Sequence, residues 1–407
     1  MIQTYRRLAL RWEWLLALFT LASLIETIFW GQMSAFTPLQ LPRLGVAPGQ
    51  VVLWTGIMAA VAGAFGIPFL PFWGALADRW SRQPLIVRSY VAHLVAGGLA
   101  VLAGNVWVFL LARAIMTLSL GNSGLMMTTL SEQAPPRRLG LAFAILNSAG
   151  PIGVFVGPLL GGPIVDTWGF RALMAINVGA LGLVIGLLTF GYRDSYRGSD
   201  RGPLLRMAAE SVAIIWRSAR LRTLFAALFA LFAGWIMVLT YVPVAVTALY
   251  HGDQPGSAVG VVLGAGGLIA MVLGPVLGAL ADRYGIWRVL IGGALVAVVL
   301  WPLPALTRSL APFTVAYAVV NGVTSGVFAI SFTALSGSAP SEVRGRVMSF
   351  AYLPANLGSM LGPAVGSLLT QISVFAVFPA AAVMMLVGVG MLVYARGRGN
   401  DESARVE

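Results

Sequence analysis

Three side chains able to carry a charge or a proton stand inside long apolar stretches of this 407-residue chain: Glu26, His93 and Arg113. Stranding an unpaired charge at membrane depth costs several kcal/mol, so an ionisable residue kept there is functional by default. Glu26 reads as a proton acceptor. A carboxyl that loses water and faces an arginine can be tipped between its charged and neutral forms by a substrate or a change of shape. The opposing reading makes Glu26 and Arg113 a permanent ion pair that only fixes helix packing. His93 reads first as a packed or hydrogen-bonded residue, with a proton role as its second reading. The second half of the chain carries no ionisable residue at depth, so any proton coupling must sit in the first half. Asp166 and His251 fall in connections and are expected to be solvated.

The elements that must position these groups follow from composition. Hydrophobic residues make up 58% of the chain and charged residues 10%, which excludes an ordinary soluble domain. Apolar runs separated by short basic loops call for membrane-spanning helices, each of about 20 residues. The sequence places about twelve, near 12–36, 51–73, 85–104, 106–130, 139–162, 172–192, 222–248, 258–278, 288–306, 312–335, 347–370 and 375–395. Span 1 runs away from the termini and span 4 runs back, which sets Glu26 and Arg113 within about one helical turn in depth. The basic N-terminus leads into a stretch too long for a signal-peptide core, so the first span is expected to remain uncleaved.

The net charge is +12, and all 26 strongly basic residues are arginine. They sit singly or in small groups between apolar runs, with no basic face for a nucleic acid. Arg43, Arg171 and Arg308 fall on one side of the predicted layout and the other loop arginines, all but Arg113, on the opposite side, which puts both termini in the cytoplasm. There is no cysteine, and so no thiolate metal site or disulfide. No phosphate-binding loop, histidine pair or carboxylate dyad is present, which argues against an enzyme, and no cofactor or metal is expected.

The chain is also a tandem duplication. Gly74-Ala75-Leu76-Ala77-Asp78-Arg79 returns as Gly278-Ala279-Leu280-Ala281-Asp282-Arg283, a shift of 204 from position 74 to 278. The same shift pairs Gly56 with Gly260, Gly63 with Gly267 and Pro71 with Pro275. A shift of 205 pairs Gly140 with Gly345, Gly153 with Gly358, Gly157 with Gly362, Pro158 with Pro363 and Gly161 with Gly366. The expected organisation is an all-α membrane protein of two pseudo-symmetric six-helix bundles, 1–192 and 222–407. The arginine-rich linker 193–221 joins them, and its segment 204–216 has the pattern of a helix lying on the membrane surface.

Six plus six spans, a basic central loop and a repeated G-x-L-a-D-R loop after the second span of each half resemble the major facilitator superfamily over essentially the whole chain. Gly74, Asp78, Arg79 and Arg82 fit that family's loop, while Ser81 and Gln83 replace its second glycine and its lysine. Gly278, Asp282 and Arg283 form the second copy. The resemblance implies a cytoplasmic latch between the halves that opens during transport. Gly153, Gly157, Pro158, Gly161 and Gly162 follow the G-x-x-x-G-P-x-x-G-G pattern of the family's proton-coupled drug exporters. Glycines at i, i+4 and i+8 also make a smooth strip for close helix contact, so a generic packing seam is the alternative. Arg113 matches a fourth-span arginine of many exporters, although Thr117 stands where a glycine is expected.

The resemblance further implies that spans 1, 4, 7 and 10 line a central cavity, across which Glu26 and Arg113 would face each other. Helical spacing then offers Trp30 and Met33 on span 1, Asn122 and Met126 on span 4, Trp235 and Tyr241 on span 7, and Asn321 on span 10. Such a lining suits a lipophilic or cationic small molecule. The leading expectation is a proton-coupled exporter, monomeric, in the lipid bilayer of a bacterial cytoplasmic membrane, with protons and a small molecule as its partners. An uptake carrier or lipid flippase on the same fold is the first alternative. A receptor or scaffold is the second, disfavoured by the short end after Arg396.

Overall fold

The computed structural model describes residues 2–66, 81–119, 122–192, 213, 215–340, 343, 347, 348 and 350–404. Gly74, Asp78 and Arg79 of the first loop copy lie outside these residues, as does most of the predicted surface helix. The described chain is helical, with no strand among the described residues. In chain order the helices are α1 Ile2–Gln40, α2 Val51–Gly66, α3 Arg82–Leu102, α4 Val106–Met116, α5 Asn122–Gln133, α6 Leu139–Gly191, α7 Ala219–Leu249, α8 Pro255–Tyr284, α9 Ile286–Leu300, α10 Leu310–Ser338, α11 Leu353–Leu369 and α12 Val377–Ala404. Ten stretches of the described residues are long and apolar enough to cross a membrane. One of them, Pro136–Gly191, is 56 residues long and contains α6. Gly169 breaks α6 with φ 83° and ψ 167°, a backbone state that suits glycine because it has no Cβ. The 17 residues of α11 fall short of a full crossing. Part of the segment before it, 344–346 and 349, lies outside the described residues.

The predicted fourth span is not one continuous helix. Asn105 caps α4 by accepting from the amides of Trp107 and Val108, both at 3.0 Å. The helix stops at Met116 and tightens into a 3₁₀ turn at Thr117–Ser119. There the Thr117 and Ser119 hydroxyls donate to the carbonyls of Ala114 and Met116, a local competition that loosens the α-helical ladder.

Packing explains the spaced glycines of the duplication. On α6, a Cβ at Gly157 would lie 3.0 Å from the Ile28 carbonyl of α1, and one at Gly153 would meet Thr27. Thr27 in turn donates to the Ala149 carbonyl at 2.9 Å. On α11, Gly358 and Gly362 lie against the Ala233 backbone of α7, and the Tyr241 hydroxyl donates to the Pro363 carbonyl at 2.8 Å. Contacts between the two halves repeat in the same way. A Cβ at Gly260 of α8 would sit 2.5 Å from the Pro158 carbonyl of α6, and one at Gly56 of α2 would sit 3.1 Å from the Pro363 carbonyl of α11. Gly267 meets Phe155, and its sequence counterpart Gly63 meets Met360.

These contacts between halves lie at the end of the molecule away from the termini. Toward the other end, Gly140 and Gly150 of α6 and Gly274 and Gly278 of α8 have no atom within 4 Å of the added Cβ. The halves therefore close against each other at the end away from the termini, while these four glycines have open space beside them. A side chain at Gly157 would have to push backbone against backbone. Gly157→Val is expected to cost about 1–3 kcal/mol, by analogy with overpacking elsewhere, whereas Gly150→Ala on the same helix should be neutral or slightly stabilising. Thermal unfolding of the two variants in detergent measures the difference.

Candidate functional site

Glu26 sits in mid-α1 with its side chain 14% exposed. Its Oε2 accepts from Asn122 Nδ2 of α5 at 2.6 Å, and its Oε1 stands 3.7 Å from His93 Nδ1 of α3. One turn before His93, the fully buried Tyr90 turns its hydroxyl toward the same carboxyl without completing a hydrogen bond. His93 is buried and packs edge-on to Phe29, ring centres 5.4 Å apart. One turn from Glu26 on either side, Ser23 donates to Met126 Sδ at 3.7 Å and Trp30 is 44% exposed. Among the described residues His93 is the only group within ion-pair distance of Glu26. A neutral amide, that of Asn122, holds the carboxyl, which leaves it free to exist in either protonation state.

Arg113 is not the partner of Glu26. It is buried on α4, where Nη1 donates to Ser34 Oγ at 3.2 Å and Nε has no partner. Ser34 lies eight positions beyond Glu26, about 12 Å along the helix. The depth argument misses because α1 continues to Gln40, a full turn past the predicted end of the first span. That extra turn carries Glu26 further from the end at which Arg113 enters. With Arg113 opposite Ser34, it is Asn122, nine residues further on, that comes to the depth of the carboxylate.

Most of the residues proposed to line a cavity are packing. Met33, Met126 and Tyr241 are wholly buried, and Asn321 is buried between two helices. Asn321 donates to the Gly266 carbonyl at 3.1 Å and accepts from Trp235 Nε1 at 2.9 Å. The glycine-rich contacts draw α1 onto α6 and α7 onto α11 closely enough to enclose their medium-sized side chains. Trp235 and Trp30 keep exposed surface, and Asn122 reaches Glu26.

The signature on α6, four glycines and a proline, serves two neighbours. Gly153, Gly157 and Gly161 face α1, while Pro158 and Gly162 face α8 at Gly260 and Gly256. Just past it stands a residue the sequence placed wrongly. Asp166 is not a solvated loop residue. It lies within α6 and caps α8 of the other half, accepting from the Gly256 amide at 2.8 Å, the Ser257 amide at 2.7 Å and the Ser257 hydroxyl at 2.6 Å. Its carboxylate satisfies donors that the first turn of α8 leaves free. The signal was Pro255-Gly256-Ser257 opening a helix without an acid of its own, although nothing in the sequence named Asp166 as the cap.

At the terminal end, Arg82 makes a two-pronged bond to Glu132 of α5 at 2.7 and 2.8 Å. Gln83, where the family pattern has lysine, donates to the carbonyls of Leu188, Thr189 and Tyr192 and so ties down the last turn of α6. In the second loop copy Asp282 is exposed, Gly278 faces open space, and Arg283 lies over the Tyr284 ring at 5.3 Å. A polar contact within the first half also escaped the sequence. Buried Gln32 donates to the Gly157 carbonyl at 2.8 Å and accepts from Asn177 at 2.7 Å.

The sequence model of the Major Facilitator Superfamily matches residues 18–312. The chain is 26% identical over 359 residues to the Multidrug resistance protein MdtG of Enterobacter lignolyticus, covering 86% of this chain and 84% of that protein. It is 28% identical over 362 residues to MdtG of Serratia proteamaculans, covering 86% of each. Among solved structures, the nucleoside transporter NupG superposes with a TM-score of 0.74 at 13% identity, over 94% of this chain and 98% of that one. A peptide transporter, POT, in complex with sulfate gives 0.74 at 15% identity over 95% of both chains. At those identities the solved structures speak for the fold.

Proposed function

We propose that this chain, which belongs to the major facilitator superfamily, is a proton-driven exporter of small lipophilic or cationic compounds. It is a multi-pass membrane transporter and not an enzyme. On this reading twelve spans form two six-helix bundles, 1–192 and 222–407, in a bacterial cytoplasmic membrane with both termini inside. The observation that carries the proton half of the proposal is Glu26, a carboxylate at mid-helix held by Asn122 and faced by His93 rather than neutralised by an arginine. The drug half is supported by the names of the bacterial MdtG relatives and by the exposed indole of Trp30 one turn from that carboxylate. Contacts between halves at one end, with open glycines at the other, support alternating access in which the described conformation opens toward the cytoplasm.

Inside-out vesicles holding the protein, loaded with an imposed proton gradient and presented with lipophilic cationic dyes, should accumulate dye and lose it when the gradient is collapsed. Accumulation that ignores the gradient would refute proton drive. Accumulation only in right-side-out vesicles would make the chain an uptake carrier. The loop latch belongs to the same proposal. Asp78→Asn is expected to keep the protein inserted but slow dye transport several-fold by removing a charge-assisted contact at a helix end. Asp282→Asn, at an exposed position, should do less. Equal rates for wild type and Asp78→Asn would remove the latch role.

A further inference from the structure

At the end of the molecule that carries the termini, the start of α7, the turn between α8 and α9 and the last part of α12 enclose a cleft of about 400 Å³. Arg220, Arg288 and Arg396 line it together with Tyr284 and Trp287. Among the described residues none of the three arginines has a carboxylate partner and no acidic side chain lines the cleft. The Arg220 guanidinium lies over the Trp287 ring at 5.8 Å, and its Nε is buried without a hydrogen-bond partner. Gly285, at φ 93°, makes the sharp turn that swings Trp287 and Arg288 into place. It opens α9 with no side-chain cap, so the first amides of that helix add donors beside the arginines.

Three like charges converging on one cleft repel each other, and each desolvated guanidinium donor without an acceptor adds to the cost. An anion removes both costs. Arginine forks match the oxygens of phosphate, and a tryptophan and a tyrosine at the ends of membrane-crossing helices sit where headgroups lie. We propose that this cleft binds a phosphate group, carried either by the headgroup of an anionic lipid or by free phosphate. It is separate from the Glu26 cluster and from the α6–α8 contact.

The full chain, purified in detergent, would be titrated with phosphatidylglycerol, with phosphatidylcholine and, in a separate arm, with inorganic phosphate. Retention is read by native mass spectrometry and stability by Tm. The wild-type protein is expected to retain phosphatidylglycerol over phosphatidylcholine. Arg220→Gln/Arg288→Gln/Arg396→Gln should weaken that retention about tenfold or more, while Arg137→Gln, outside the cleft, should leave it intact. If the triple variant does not fold, Arg288→Gln/Arg396→Gln keeps the Arg220–Trp287 stack and must still lose most of the preference. A phosphate-dependent rise in Tm that disappears in the same variants identifies the free ion as a ligand, and its absence alongside lipid selectivity identifies the headgroup. Unchanged phosphatidylglycerol preference in the variants, or no preference in the wild type together with no response to phosphate, overturns the proposal.

Discussion

Glu26→Gln is expected to leave a folded, inserted protein that still exchanges substrate down its gradient and no longer concentrates it on a pH gradient. The glutamine amide oxygen can keep the bond from Asn122 Nδ2, now 2.6 Å long. The loss is therefore that of a charge-assisted bond replaced by a neutral one, about 1 kcal/mol. Transport coupling should fall far more, by at least about tenfold, since no other carboxylate at this depth remains to titrate. Arg113 provides the control. It bonds Ser34 rather than Glu26, so Arg113→Gln should not rescue any defect of Glu26→Gln. Counterflow and pH-driven uptake in the same proteoliposomes separate the two activities. A stable Glu26→Gln protein that still pumps dye on a pH gradient alone would falsify the assignment.

What could be read from the sequence here was what repeats or what is costly. Most of the described glycines at fixed shifts, Gly140 and Gly278 excepted, mark positions where a Cβ would strike a neighbouring helix, and those requirements survive duplication because both halves have the same packing problem. That is why Gly56 and Gly260 meet matching prolines' carbonyls on α11 and α6. Glu26 could be found because a carboxylate amid apolar residues is expensive. Its partners could not be. Asn122 reaches it because it stands nine residues past Arg113, which bonds Ser34 eight residues past Glu26 on the facing helix, a register that the hydropathy pattern does not record. The cavity residues failed for a related reason. Helical spacing places Met33, Met126 and Tyr241 on a face, but whether that face is open or covered depends on how closely the glycine strips draw the neighbours in. Asp166 escaped because its function is to cap a helix 90 residues away in the sequence, and nothing local records that.

That cap leads to the second large effect. Asp166 is held to α8 of the opposite half by three bonds, and beside it Gly162 and Gly256 allow the two backbones to touch. If alternating access is the mechanism, this contact must break whenever the far end opens, and a bond that cannot break should stop the cycle. The chain has no cysteine, so a pair placed at Asp166→Cys/Ser257→Cys would form the only disulfide in the protein. The Ser257 hydroxyl and the Asp166 carboxylate meet at 2.6 Å, so cysteines at these two positions can be joined by oxidation or by a short bifunctional thiol reagent. Oxidation is expected to reduce uphill dye transport by at least about tenfold while leaving dye binding from the terminal side intact, and reduction should restore transport. The single variant Asp166→Ala makes the complementary point. Losing the cap should cost about 0.5–2 kcal/mol of the closed contact and shift the population toward the conformation open at that end. Accessibility of Ser257→Cys to a membrane-impermeant maleimide, compared with and without Asp166→Ala, reads that shift. If the oxidised pair transports at the wild-type rate, the α6–α8 contact is a fixed seam and the opening motion lies elsewhere in the molecule.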